Sequence, residues 1–201
     1  MRTADATDLA RIAVFTALIA VLGLPGSFPV FGGVPITAQT LGVMLAGAIL
    51  GPWFGALSVT VLLALAAVGL PVLAGGRGGI GVFLGPTAGY ALGWILGAIV
   101  IGLIVHAGGR RPVAWRTALA MLAGGIGAIY ALGTPVQSLV TRLPLAETAL
   151  TSLVFVPGDL LKAAVATVVV TTLVTAYPRG FRRDWSVRAT RRRPAEVAVD
   201  A

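Results

Sequence analysis

The stretch VPGDLLKAAVATVVVTTLVTAY, residues 156–177, decides the fold of this chain. Its 22 residues can form a helix that rises about 1.5 Å per residue and crosses a hydrocarbon core of about 30 Å. It carries two charges, Asp159 and Lys162, which are three residues apart and therefore lie on one face near the Pro157 start. An ionised group costs about 2.5–3.5 kcal/mol at the bilayer centre, so neither group should face lipid.

Two interpretations of this charged pair fit the sequence. In the first, Asp159 and Lys162 neutralise each other as an internal ion pair near the outer end of the helix. In the second, both groups point into a cavity and hold a neutral polar ligand. The carboxylate would accept hydrogen bonds from N–H groups of that ligand, and the ammonium would donate to a carbonyl. The other groups that line the cavity must decide between them.

The composition of the whole chain is that of an integral membrane protein. Of its 201 residues 57% are hydrophobic and 11% are charged, and the mean hydropathy is +0.96. At about 20 residues per span there is room for six helices. We therefore predict an all-α polytopic fold with six transmembrane helices. Residues 1–190 would form the single membrane domain, and residues 191–201 a basic, disordered C-terminal tail.

The basic residues predict the orientation of these spans. Of the 15 lysines and arginines, 12 lie in three places: near the N-terminus, in the loop 110–116, and in the tail 179–193. By the positive-inside rule these places are cytoplasmic, as are both termini. The predicted spans are Leu9 to Gly23, Ile36 to Leu50, Trp53 to Val68, Gly85 to His106, Ala114 to Gly133, and Val156 to Tyr177. Residues 134–155 are expected to form an outer loop that could hold a short amphipathic helix.

Further polar groups are expected at the depth of the charged pair, at the outer ends of the second, fourth and sixth spans. They are Gln39, Thr87 and Tyr90. Residues 69–90 contain eight glycines, so the part before Gly81 should be a loop, and Arg77 within it could bind a carboxylate. Phe28 and Phe31 in the first outer loop are expected to cover the cavity. The amide of Gln39 could equally bond only to loop backbone.

Two spans carry small residues at helical spacing, which lets another helix approach closely. In the first span they are Ala10, Ala13, Ala17 and Ala20, and in the fourth they are Gly85, Gly89, Gly93 and Gly97. The alanines fit intramolecular packing and docking of a separate subunit equally well. The fifth span is rich in alanine and glycine, and Tyr130 is its one polar aromatic residue.

Three motifs resemble the BioY family, the biotin-binding S components of energy-coupling factor (ECF) transporters. They are PITAQTLGVMLAG at 35–47, GGRGGIGVFLGPTAGY at 75–90 and PGDLLKA at 157–163. The resemblance implies a six-helix protein of the cytoplasmic membrane that binds biotin from outside and mediates its uptake. It also implies two kinds of partner, a transmembrane T component and two cytoplasmic ATP-binding subunits. Biotin would be the transported ligand, and no cofactor is implied.

The resemblance also implies roles for individual residues. Asp159 and Lys162 match positions that contact the ureido ring of biotin, and Tyr90 matches an aromatic residue expected against the ligand. Ala13 and Ala17 match a first-helix motif that looks like the contact with the T component. Gln39 would support the site from behind. Arg77 is assigned to the valerate carboxylate from its charge alone.

Other functions remain to be weighed against this one. An S component for a different vitamin would share the six-helix plan but not these polar motifs, and a stand-alone secondary biotin carrier would normally show two related halves, which this chain lacks. A membrane enzyme with Asp159 as its base would need further acids, nucleophiles or metal ligands. The sequence has no cysteine and no second acid at membrane depth, so we predict no enzymatic activity. It has no Walker motif either, so ATP hydrolysis would belong to a partner.

Overall fold

Seven α-helices make up most of the chain in a computed structural model that describes residues 5–24, 34, 36–107 and 112–177. They are α1 (Ala6–Val21), α2 (Gln39–Leu50), α3 (Pro52–Ala67), α4 (Ala88–Val105), α5 (Ala114–Thr141), α6 (Leu145–Ser152) and α7 (Val156–Ala176). Short 3₁₀ helices precede α4 and α7, at Ile80–Leu84 and Leu153–Phe155. Phe28, Phe31, the arginines of residues 108–111 and the basic tail lie outside the described residues.

The all-helical architecture confirms the predicted fold class. The six predicted spans correspond to α1 to α5 and α7, and the short helix expected in the last outer loop is α6. Within the residues that the structure describes, three helical segments are long and apolar enough to cross a membrane: Ala88–Val105, Ala114–Thr141, and Leu145–Ala176, which joins α6 to α7. α2 and α3 are shorter apolar helices.

The predicted end of the fifth span was wrong. We expected a loop from Thr134, because glycine and proline at positions 133 and 135 usually end a helix. α5 instead continues through Pro135 to Thr141. A proline is tolerated inside a membrane helix when neighbouring groups satisfy the backbone groups it leaves free. The extra turns carry Gln137, which becomes important at the cavity described below.

Glycines on α4 allow α5 to pack almost backbone to backbone, as their four-residue spacing predicts. A Cβ atom on Gly93 would lie 2.8 Å from the carbonyl oxygen of Ile129, and one on Gly97 would lie 2.8 Å from that of Gly124. A side chain larger than hydrogen would therefore force the two helices apart. This close contact fixes α5 beside α4 and brings their facing side chains to one level.

A π-helical segment, Ala123–Ala128, interrupts α5. Its sequence AGGIGA has three glycines, and π-bulges inside α-helices often occur at functional sites. The wider turn changes the helical register of everything that follows. Ile129 and Tyr130 are the next two residues, and both face the cavity.

α1 presents two different faces. Ile12, Thr16 and Ile19 are buried, and the Thr16 hydroxyl donates to the Ser58 carbonyl of α3 at 3.0 Å. The alanine stripe is mainly on the other side: Ala10, Ala13 and Ala17 are exposed, and Ala20 is half-buried. The open part of this stripe is therefore not used for packing by the residues that the structure describes.

Candidate substrate-binding site

A cavity between α2, α4, α5 and α7 collects the polar groups that the sequence singles out. The space inside it, open solvent included, is about 680 Å³. All six predicted site residues line it, namely Gln39, Arg77, Thr87, Tyr90, Asp159 and Lys162. Much of the remaining wall is apolar, formed by side chains such as Trp94, Ile129 and Phe155. The cavity therefore suits a small, partly apolar ligand.

Asp159 and Lys162 form an ion pair inside this cavity. The Lys162 ammonium donates to Asp159 Oδ1 at 2.9 Å, as expected for residues three apart on α7. Asp159 is 5% exposed, yet both side chains line the cavity. The two sequence-based interpretations are thus not exclusive, because the pair neutralises itself at a place that a ligand can reach.

Two residues that the sequence analysis did not assign to the site complete the pair's hydrogen bonds. Tyr130 of α5 donates its hydroxyl to Asp159 Oδ2 at 2.6 Å, and Lys162 donates to Thr40 Oγ1 of α2 at 2.9 Å. Tyr130 stood out in an alanine- and glycine-rich span, and its distance from the start of that span places it near the outer end. That signal draws attention to Tyr130 but does not predict its contact with Asp159. Thr40 lies next to Gln39 and had no separate signal.

Tyr90 presents its ring to the cavity and its hydroxyl to the protein interior. The hydroxyl donates to Gln137 Oε1 at 2.8 Å and shares a hydrogen bond with Ser152 Oγ at 2.9 Å. The ring stands edge-on to the rings of Tyr130 and Phe155, with centroids 5.9 Å and 6.3 Å away. The Tyr90 ring is thereby fixed as an aromatic wall, and its polar atom is already satisfied.

The side chain of Gln39 makes three hydrogen bonds to backbone groups. Its amide nitrogen donates to the carbonyl oxygens of Ile19 and Val72, and its Oε1 accepts from the Ala74 amide at 2.9 Å. These bonds attach α2 to the end of α1 and to the glycine-rich loop. Gln39 is 1% exposed and therefore contributes mainly to the position of that loop.

Arg77 lines the cavity from the loop that Gln39 holds. A bridge between Leu73 and Arg77 and the positive φ angles of Gly75 and Gly76 turn the loop back on itself. Arg77 Nε donates to the Ala74 carbonyl at 3.2 Å, and its two terminal nitrogens have no partner among the described residues. They remain available to an anionic group. Thr87, 9% exposed, lies just before α4 on the same wall.

The polar groups of the cavity suit the binding of a ligand that has N–H groups, a carbonyl and an anionic group. Among the described residues no group of three or more His, Cys, Asp or Glu side chains could hold a metal ion. The described lining of the cavity carries one carboxylate, Asp159, and two cationic side chains, Lys162 and Arg77. It can therefore accept from N–H groups, donate to a carbonyl, and hold an anion beside Arg77.

The chain is similar to proteins of one known family. The family model of the BioY family matches residues 1–179. The biotin transporter BioY of Rhodobacter capsulatus is 48% identical over 180 residues, which cover 85% of this chain and 95% of the relative. The probable biotin transporter BioY of Bacillus subtilis is 49% identical over 160 residues, or 79% of this chain and 86% of the relative.

A solved structure is similar as well. The crystal structure of the S-component for biotin from an ECF-type ABC transporter aligns with a TM-score of 0.78 and 36% sequence identity. The alignment covers 84% of this chain and 91% of that one. The sequence motifs, the helical architecture and these matches lead to one conclusion: the chain belongs to the BioY family.

Proposed function

We propose that this chain is the biotin-binding, substrate-specificity subunit of a biotin uptake system. One observation carries the proposal: the buried carboxylate of Asp159 and the half-buried ammonium of Lys162 lie together in an otherwise largely apolar cavity. Biotin has a ureido ring with two N–H donors and one carbonyl acceptor, which complement these two groups. Its apolar bicycle fits the aromatic wall. The members of this family compared above are named for biotin transport, and we expect transport without catalysis.

The other site residues receive roles within this proposal. The Tyr90 ring packs against the bicycle, and Thr87 contacts the ligand on the same wall. Arg77 binds the valerate carboxylate, because its terminal nitrogens are available. Gln39 does not need to contact biotin, since it holds the loop that carries Arg77.

Partners and location follow from the same proposal. We place the chain in the cytoplasmic membrane, with both termini in the cytoplasm and the cavity opening outward. A T component would contact Ala13 and Ala17 on the exposed face of α1, and two ATP-binding subunits would supply the energy for transport. The chain itself would carry biotin as its cargo and would not need a cofactor.

Equilibrium binding of tritiated biotin to the detergent-purified chain tests the proposal. We expect saturable binding with a submicromolar dissociation constant and no competition from an excess of thiamine or riboflavin. Competition by either vitamin would favour an S component of different specificity. No binding of biotin up to micromolar concentrations would refute the proposal.

Uptake into proteoliposomes tests the role of the partners. Vesicles with this chain alone should bind biotin without accumulating it, and vesicles with the T component and ATP-binding subunits should accumulate it when ATP is present. Accumulation by the chain alone would identify it as a stand-alone carrier instead.

A further inference from the structure

Four side chains from three helices form one continuous chain of hydrogen bonds on the wall of the cavity. Tyr130 donates to Asp159 Oδ2 at 2.6 Å, Lys162 donates to Asp159 Oδ1 at 2.9 Å, and Lys162 also donates to Thr40 Oγ1 at 2.9 Å. The order is therefore Tyr130, Asp159, Lys162, Thr40. The two end members come from α5 and α2, and the two middle members from α7.

The two ends of this network offer different hydrogen-bonding groups to a ligand. Tyr130 has committed its only proton to Asp159, so its oxygen can only accept a further hydrogen bond. Lys162 has three N–H groups and uses two of them among the described residues. Thr40 accepts from Lys162 and keeps its own O–H for another partner. One end of the network therefore presents acceptors to a ligand, and the other end presents donors.

This pattern is complementary to one edge of a cyclic urea. In such a ring an N–H and the C=O are held side by side on the same edge. The N–H matches the acceptor end, formed by Tyr130 and Asp159, and the C=O matches the donor end, formed by Lys162 and Thr40. A carboxylate fixed by only one partner could rotate about its bond to Cβ and lose this alignment. Tyr130 opposes that rotation of the carboxylate, and Thr40 fixes the position of the ammonium at the other end of the network.

We propose that Tyr130 and Thr40 are specificity-determining residues that let the charged pair recognise the N–H and C=O edge of the ureido ring. The inference rests on the proposed function, because it takes biotin as the ligand. Tyr130 acts on the N–H by fixing the Asp159 carboxylate. Thr40 acts on the carbonyl by fixing the Lys162 ammonium.

Two biotin analogues test the acceptor end and the donor end of the network separately. Biotin methylated on the ureido nitrogens lacks the N–H, and 2-iminobiotin carries nitrogen donors in place of the carbonyl acceptor. Dissociation constants for biotin and both analogues would be measured by isothermal titration calorimetry on the full chain, Tyr130→Phe and Thr40→Val. Tyr177→Phe and Thr171→Val serve as matched controls, since Tyr177 is 60% exposed and the Thr171 hydroxyl bonds to its own helix. Size-exclusion profiles and helix content by circular dichroism would verify folding.

We expect Tyr130→Phe to weaken biotin binding about 10- to 100-fold, the range for a hydrogen bond to a charged group. The N-methylated analogue should lose much less affinity, so the preference of the protein for biotin over that analogue should fall. Thr40→Val should chiefly reduce the preference for biotin over 2-iminobiotin. The controls should bind all three ligands as the parent chain does.

The outcomes separate this inference from the proposed function. If the parent chain does not bind biotin, the proposed function fails first. If it binds biotin and both variants weaken all three ligands by one common factor, Tyr130 and Thr40 are only structural and the inference is overturned. Unchanged affinity for biotin in both variants would overturn it too. Should Tyr130→Phe not fold, the Thr40→Val result with 2-iminobiotin decides alone.

Discussion

At the scale of single residues, the Asp159 and Lys162 pair contributes to the stability of the fold and to biotin binding, and the two contributions can be separated. Removing one partner leaves a charge in a mostly buried site, which costs about 3–5 kcal/mol of stability in comparable pairs. Asp159→Asn or Lys162→Gln alone should therefore lower thermal stability in detergent and weaken biotin binding. The double substitution should restore most of the stability, since two neutral amides can hydrogen-bond with each other.

Binding should respond differently from stability in that double variant. Neutral hydrogen bonds are weaker than charge-assisted ones, so affinity for biotin should stay about 10- to 100-fold below that of the parent chain. Radioligand binding and a thermal melt on the same preparations would measure both quantities. A double variant that binds biotin like the parent chain would show that the charges serve only to neutralise each other.

His106, at the end of α4 away from the cavity, makes the stability of the chain depend on pH. Its Nε2 lies 2.8 Å from the carbonyl oxygen of Ala48 at the end of α2. Burial lowers the pKa of His106 below its ordinary value of 6.5, the hydrogen bond with Ala48 opposes this, and nearby Arg116 adds to the lowering. The unfolded chain therefore binds more protons than the folded chain once the pH falls below 6.5.

The contribution of His106 to the free energy of unfolding should thus be fully present above pH 6.5. It should be lost as the pH falls through the lowered pKa of the folded chain. Melting temperatures between pH 5 and pH 8, measured for the parent chain and for His106→Gln, would test this. The difference between the two curves should change across the acid range. Parallel curves throughout would contradict the assignment.

At the scale of helices, the contact between α4 and α5 should tolerate very little extra volume. Gly93→Ala would place a Cβ 2.8 Å from the Ile129 carbonyl oxygen, which is backbone and cannot turn away. Overpacking of this kind costs about 1–3 kcal/mol. It should also move Tyr130, the next residue along α5, and thereby weaken biotin binding.

Gly85→Ala is the matched control from the same four-residue series. Its new Cβ would find no atom closer than 3.9 Å, and the φ angle of −94° suits alanine. Thermal stability and biotin affinity should fall for Gly93→Ala and stay near the parent values for Gly85→Ala. Equal effects of both substitutions would show that the helix contact is less tight than described.

In this chain the sequence predicts the existence of the helices better than the positions where they end or change register. Long apolar runs and the charged PGDLLKA motif suffice to place α7, because lipid allows a helix that satisfies its own backbone. The end of α5 could not be predicted from Gly133 and Pro135, since their local preference opposes a helix and only packing against α4 overrides it. The π segment likewise has no pattern beyond a cluster of glycines.

The same distinction holds within the site. Asp159 and Lys162 are visible because charges are rare in apolar spans. Gln39, Thr87, Tyr90 and Arg77 could be placed near them from depth and motif, and all line the cavity. Tyr130 reaches Asp159 only through the register that the π segment gives to α5. The helical periodicity of the sequence does not predict that change of register. Tyr130 could therefore be noticed from the sequence but not assigned to the site.

At the scale of the whole molecule, α1 offers a face that the described part of the chain does not use for its own packing. Ala13 and Ala17 are exposed, whereas Ile12, Thr16 and Ile19 on the opposite side are buried. Small residues at this spacing allow a second helix to approach closely. The cavity lies between other helices, so the two surfaces should be separable by substitution.

Leucine at both alanine positions should therefore impair transport without impairing binding. The larger side chains would hold a docking helix away, and a loss of about 1.4 kcal/mol in docking lowers the population of the complex about tenfold. ATP-dependent uptake with the T component and ATP-binding subunits should fall accordingly, while biotin binding to the purified variant stays unchanged. Val14→Leu, at a 64% exposed position beside the stripe, is the control and should transport normally. Normal uptake by the double leucine variant would show that the docking surface lies elsewhere. Loss of biotin binding would mean that α1 supports the cavity rather than contacting the partner.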